Sequence, residues 1–305
     1  MFEYILTADF IFSVIRLSTP ILFAAMAAVI GAKADVLCIA YEAMMLLAAL
    51  GGVIGSAYSQ NLIVGMLVGI ASGLLIAGIF AYFVLYLDTT PLLAGLALNI
   101  FGAGLTVYIV FLLTGRKLDT SVLPSLKFPD VHLPLIEDIP FIGDVISGHN
   151  ILSYFAILTV FLVYYFIFKT KLGLQIRAAG ENPEAATSAG IDVKRTKLIA
   201  LLISGVIASF GGLFLSMSQM PYFTTNMTAG RGFIGIAAQN LSGGSPIGTT
   251  IATLVFGATM SVGNIAQTFR LPSQFASMAP YLMTIIGTVV VGMKARRDEK
   301  KIKHL

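Results

Sequence analysis

The chain has 305 residues, 57% hydrophobic and 11% charged, with 19 Lys and Arg against 15 Asp and Glu, a net charge of +4 and a mean hydropathy of +0.90. Soluble domains are nearer half apolar and a quarter charged, so this balance excludes a water-soluble globular protein, and the small basic surplus fits loops on one membrane face rather than nucleic-acid binding. The single cysteine, Cys38, excludes an internal disulfide and any CxxC metal or redox site.

Runs of about 20 apolar residues read as membrane spans. Nine apolar segments can be marked, at about 10–31, 39–60, 62–87, 91–113, 151–168, 197–219, 229–243, 246–266 and 277–293. They predict an all-α polytopic integral membrane protein with about nine (8–10) transmembrane helices in a single transmembrane domain, 1–305. The opening stretch MFEYILTADF carries Glu3 and Asp9 and no early Lys or Arg, so it lacks the basic start of a cleaved signal peptide.

In the second segment Glu42 is the one acid deep in a span, while Asp35 and Asp88 lie at span ends. An intramembrane carboxylate is costly and marks either a transport path or a structural hydrogen bond. Gly51, Gly52 and Gly55 in the second segment, and Gly65, Gly69 and Gly73 on one face of the third, predict close helix packing. Asn99 in the fourth is an amide suited to a polar ligand or to tying helices together.

The loop at 114–150 holds five acids, Asp119, Asp130, Glu137, Asp138 and Asp144, against Arg116, Lys117 and Lys127, with four prolines that forbid a long helix. It is expected outside the cell, as a docking surface or a passive cap. The loop at 169–197 carries Lys169, Lys171, Arg177, Lys194, Arg195 and Lys197, and the tail at 294–305 is equally basic, so both are expected in the cytosol. Four crossings between them satisfy that rule only if the short segment at 229–243 also crosses, as a short helix continuing from irregular backbone. Within or beside it, Gln239, Asn240, Tyr222 and Phe223 are candidates to meet a substrate; each also fits a packing or interfacial role.

Inside the basic loop the chain reads GENPEAATSAGI over 180–191. Asn182 suits an N-cap, Pro183 the first helical position, Glu184 the first turn and Gly190 the residue that ends the helix. The expected product is a two-turn helix of about seven residues, roughly 10 Å long, too short to hold alone. Its small-faced surface of alanines, Thr187 and Ser188 predicts a knob for a partner's socket, or else a helix tucked onto the membrane domain. No phosphate loop, HExxH or GxSxG pattern occurs, and His132, His149 and His304 lie apart in loops or the tail, so no metal site and no catalytic residues are expected.

Glu184-Ala185-Ala186 followed by Gly190 resembles the EAA---G loop of ABC-importer membrane subunits. The stretch LGLQIRAAGENPEAATSAGIDVKRTKLIALLISGVIASFGGLFLS, continued by AGRGFIGIAAQNLSGGSPIG, is similar to the permease family for branched-chain amino acids, ribose-type sugars and nucleosides. LALNIFGAGLTVYI and LPLIEDIPFIGDVI are most similar to its nucleoside branch. The resemblance implies a permease subunit in a bacterial cell membrane that binds no cofactor itself. ATP and Mg would sit on a partner ABC ATPase, with a second permease subunit, homo- or heterodimeric, and an external substrate-binding lipoprotein. It assigns coupling to Arg177, Asn182, Pro183, Glu184, Ala185, Ala186 and Gly190; the candidates for a substrate path, read from residue type and placement, are Glu42, Asn99, Tyr222, Gln239 and Asn240. A monosaccharide or branched-chain amino acid permease, or an ATPase-independent carrier, remains the alternative. The family's Asn-Ile-Gly-x-Glu-Gly-type motif reads Cys38-Ile39-Ala40-Tyr41-Glu42-Ala43 here, which predicts looser backbone approach around Glu42.

Overall fold

The computed structural model describes residues 7–132, 134, 142–268, 278, 282–285, 287, 289 and 293. Among the described residues these α-helices run in order: α1 (Ala8–Lys33), α2 (Tyr41–Ser59), α3 (Leu62–Leu85), α4 (Pro91–Thr114), α5 (Ile142–Ile146), α6 (Ile151–Lys169), α7 (Lys171–Glu181), α8 (Pro183–Ser188), α9 (Val193–Phe214), α10 (Arg231–Leu241) and α11 (Pro246–Thr268). A π-helical turn, Leu215–Gln219, extends α9. Among the described residues the only β pairing is two isolated bridges, Asp119 with Thr224 and Asp130 with Asn150.

Seven helices among the described residues are long and apolar enough to cross a membrane: α1, α2, α3, α4, α6, α9 with its π turn, and α11. The segment marked at 229–243 is different. Its helix α10 has 11 residues, about 16 Å at 1.5 Å per residue, half of a bilayer's hydrocarbon core. Most of the last marked segment, 277–293, and the whole basic tail, 294–305, lie outside the described residues.

Burial inverts the soluble pattern. α1 is enclosed, with Ile21, Phe23, Met26 and Ile30 fully buried, and it packs against α6, α9, α10 and α11. α3 and α4 stand at the edge and expose Leu67, Leu75, Leu92, Leu93, Ile100 and Leu112. Helices apolar all round are suited to lipid on the outside and protein on the inside. The expected glycine stripe on α3 is a contact line: a Cβ on Gly65 would stand 2.9 Å from Gly52 O of α2, and one on Gly69 2.8 Å from Ala48 O. Only hydrogen fits there, so the two backbones meet directly.

The bundle has two unlike ends. At one, Gln60 Nε2 donates to Pro124 O, Thr120 N to Phe223 O and Phe128 N to Met217 O, clasping the 115–132 loop over α2 and the π turn. At the other lie Lys33, Lys169, Lys171, Lys194, Arg195 and the helices α7 and α8. The chain from 223 to 244 passes from the loop end to the basic end, with α10 as its inner half: Thr225 N donates to Leu118 O, and Gly244 lies beside Lys33 Nζ.

Candidate functional site

The GENPEAATSAGI stretch folds at the basic end. α7 is capped by Thr170, whose Oγ1 accepts from Gly173 N at 3.0 Å. Asn182 closes α7, donating from its N to Ala178 O, and opens α8, where its Oδ1 accepts from Ala185 N at 3.0 Å. Pro183 takes the first position and Glu184 the first turn. At the far end Gly190 has φ +81, Ile191 N donates to Ala186 O and Gly190 N to Thr187 O. These are the paired bonds of a Schellman stop, and glycine is the residue that adopts that conformation without steric cost. The helix has six residues, one fewer than the sequence suggests.

Apart from Ala186, which is buried, every residue from Glu181 to Gly190 is exposed. Thr187 and Ser188 turn their hydroxyls back to Pro183 O and Glu184 O at 2.8 and 3.0 Å. The outer face is therefore short, small and smooth, and within the chain it has almost nothing to pack against. Arg177 lies earlier, on α7, with its guanidinium 5.3 Å from the centre of the Phe168 ring.

The second feature is the break between α1 and α2. α1 ends in another Schellman stop, with Asp35 N bonded to Ala32 O and Val36 N to Gly31 O. Asp35 itself holds the left-handed φ of +52. The chain then doubles back, and Tyr41 Oη donates to Ala27 O at 3.0 Å. α2 thus starts beside Ala27, short of the α1 terminus and inside the bundle.

Two polar side chains hold that buried helix start. Asn99 of α4 accepts from Ala43 N and donates to Ile39 O, each at 3.0 Å. Glu42 receives the N-terminus of α10: Gly230 N donates to Oε1 and Gly232 N to Oε2, both at 2.7 Å. Free N–H groups and the positive end of the helix dipole make a helix N-terminus a natural carboxylate partner. A Cβ at Gly232 would stand 2.6 Å from Glu42 N, and one at Gly95 2.9 Å from Ile39 Cβ. The loose packing expected from the altered 38–43 motif is therefore absent, because the missing glycines are supplied by the facing helices.

Of the substrate-path candidates, Glu42 and Asn99 are committed to backbone. Tyr222 is half-buried at the loop end, next to Pro221, whose carbonyl accepts from Ser125 Oγ. Phe223 is fully buried against Leu46, Leu50 and Val110, so it is core and not a stacking platform. Gln239 and Asn240, by contrast, line a cavity of about 200 Å³ with Asp35, Val36, Cys38 and Tyr41. Sequence reasoning placed Asp35 only at a span end, and its position in the cavity had no local signal.

A family model described as the branched-chain amino acid transport system permease component matches residues 10–292. The chain is 30% identical to the nucleoside ABC transporter permease protein NupC of Lactococcus lactis, over 88% of this chain and 87% of that one. It is 30% identical to the guanosine ABC transporter permease protein NupQ of Bacillus subtilis, over 93% and 91%. To the putative glucose ABC transporter permease protein TsgC13 of Haloferax volcanii it is also 30% identical, over 87% and 78%. With a family match over nearly its whole length and an apolar helical bundle to go with it, the chain belongs to this permease family and is a multi-pass membrane subunit of an ABC transporter.

Proposed function

We propose that this subunit is half of the pore of an ATP-driven importer for nucleosides, working by alternating access. The observation that carries the reading is α8: a helix with both ends capped, exposed on every residue but Ala186, at the basic end of the bundle. A partner ABC ATPase binds ATP with Mg and receives α8 in a cleft, with Glu184 at the helix start and Arg177 nearby. A lipoprotein receptor delivers the ligand at the 114–150 loop, on the extracellular side. The basic end, with the C-terminal tail, faces the cytosol of a bacterial cell, as excess Lys and Arg favour.

The cavity of about 200 Å³ is below the roughly 300–1,000 Å³ usual for small-molecule sites, which fits a path completed by a second permease subunit. Gln239 and Asn240 offer amides to the polar edges of a base or ribose. ATP-driven closure shifts the bundle between outward and inward states only through its different affinity for the two. The nucleoside reading rests on the NupC and NupQ likenesses. The TsgC13 likeness favours a second reading, a monosaccharide.

Uptake by the reconstituted complex tests both. Labelled guanosine should enter in an ATP-dependent way and be displaced by other nucleosides but not by glucose or leucine. Displacement by glucose alone would move the assignment to sugars, and uptake that survives a disabled ATPase would remove the importer reading. Glu184→Lys should abolish uptake at unchanged membrane levels.

A further inference from the structure

We infer that Gly180 is the joint through which α8 acts on the cavity: the last turn of α7 bears directly on the terminus of α1, and that terminus forms the cavity rim. The inference rests on the coupling role proposed for α8.

Three connections make the path. First, α7 and α8 share Asn182, the C-cap of one and N-cap of the other, so no slack residue separates them. Second, α7 is seated as a lever, with Ile176 and Ala179 fully buried. Third, Gly180 meets the turn that ends α1. A Cβ there would overlap Lys33 O and stand 3.1 Å from Ala34 C and from Asp35 N. These are backbone atoms and cannot rotate aside. Directly beyond them, Asp35, Val36 and Cys38 line the cavity opposite Gln239 and Asn240.

Two backbone bonds, from Asp35 N to Ala32 O and from Val36 N to Gly31 O, hold that turn with Asp35 at φ +52, so a push on it is not absorbed by a flexible side chain. A displacement of α8 along α7 therefore reaches the cavity after one backbone contact, at the terminus of α1.

The experiment uses the complete transporter in lipid vesicles, in a Cys38→Ala background with an environment-sensitive fluorophore on Leu37→Cys. Leu37 is 53% exposed beside the cavity. Gly180→Ala should keep assembly and ATP hydrolysis while transport per ATP falls about tenfold and the fluorescence response to ATP with vanadate disappears. Gly78→Ala is the control, since a Cβ there meets nothing within 4 Å; both readouts should stay normal. Normal coupling and a normal response in Gly180→Ala would overturn the inference. If Glu184→Lys abolishes the response while Gly180→Ala does not, α8 couples but by another route. If neither changes it, the coupling role of α8 falls as well.

Spin-label distances in chains that keep Gly180 supply a measure independent of that variant's folding. Leu174→Cys to Leu37→Cys should hold constant through the nucleotide cycle while Leu37→Cys to Asn240→Cys changes. Equal changes in both would also overturn the joint.

Discussion

Glu42 and Gly232 meet at the buried start of two helices: the Gly232 N–H donates to Glu42 Oε2 at 2.7 Å, and the glycine leaves no room between its Cα and the Glu42 backbone. With Gly230 on the other oxygen, removing the carboxylate strands two N–H groups in a low-dielectric interior. Glu42→Ala should lower the stability of the purified transporter by about 2–6 kcal/mol, taking roughly 1–3 for each buried group left unsatisfied, and Glu42→Gln by less. Gly232→Ala should be as damaging as Glu42→Ala. Thermal unfolding in detergent measures all three, and tolerance of Gly232→Ala would contradict the close contact.

Asn99 gives a contrasting test of role. Both ends of its amide are spent on Ala43 N and Ile39 O, so it has little left for a ligand. Asn99→Leu should cost about 1–3 kcal/mol and lower the amount of active transporter, with the KM for substrate unchanged. A KM rise of tenfold in correctly assembled protein would return Asn99 to the path.

The two caps of α8 should be separable. Asn182→Ala removes the bond to Ala185 N at a cost of about 1 kcal/mol. Gly190→Ala forces a side chain into φ +81, for about 1–2 kcal/mol. Because α8 is exposed, neither should change the unfolding temperature of the bundle. Hydrogen exchange at the amides of positions 190 and 191 should rise about tenfold in Gly190→Ala, as 1.4 kcal/mol implies, with uptake falling in step.

His149 should give the loop end its response to acid. The ring stacks on Phe12 at 3.9 Å and its Nε2 bonds to Val145 O. Burial, opposed by that bond and helped by the nearby Arg16 charge, holds its pKa below the ordinary 6.5. The unfolded chain then binds more protons in the interval between the two values, so stability rises with pH there. The contribution is full above about 6.5 and is lost as pH falls through the folded value. Asp130 titrates lower: burial raises its pKa, but hydrogen bonds from Lys127 and Asn150 outweigh that and hold it below 3.8. The decline in unfolding temperature between pH 7 and pH 5 should therefore shrink in His149→Phe, while Asp130→Asn leaves it in place.

What was legible in the sequence follows from how local each signal is. The caps of α8 lie within ten residues, Asn182 to Ile191, and each acts through bonds inside that span. The peripheral helices were legible for a similar reason, since lipid demands only an unbroken apolar run. The interior was harder. Glu42 and Asn99 stood out as polar residues in spans, but their partners lie 188 and 56 positions away, and nothing near either names them. The altered motif at 38–43 misled because close approach needs one glycine per contact, on either side, and here Gly232 and Gly95 supply it. The segment at 229–243 reads as a short helix continuing from irregular backbone, and α10, with 11 residues after the turns that precede it, has that form; only its end was less sharp, because hydropathy does not register where a helix stops when apolar residues continue past it.

The pairing of Glu42 with Gly230 also sets an order of assembly. At roughly 5–20 residues per second, the 188 positions that separate them take about 10–40 s to synthesise. For that interval the nascent chain holds an acid in its second span with no amide to receive it. The first half of the bundle must therefore wait, hydrated or sheltered by the insertion machinery, until α10 arrives to close it.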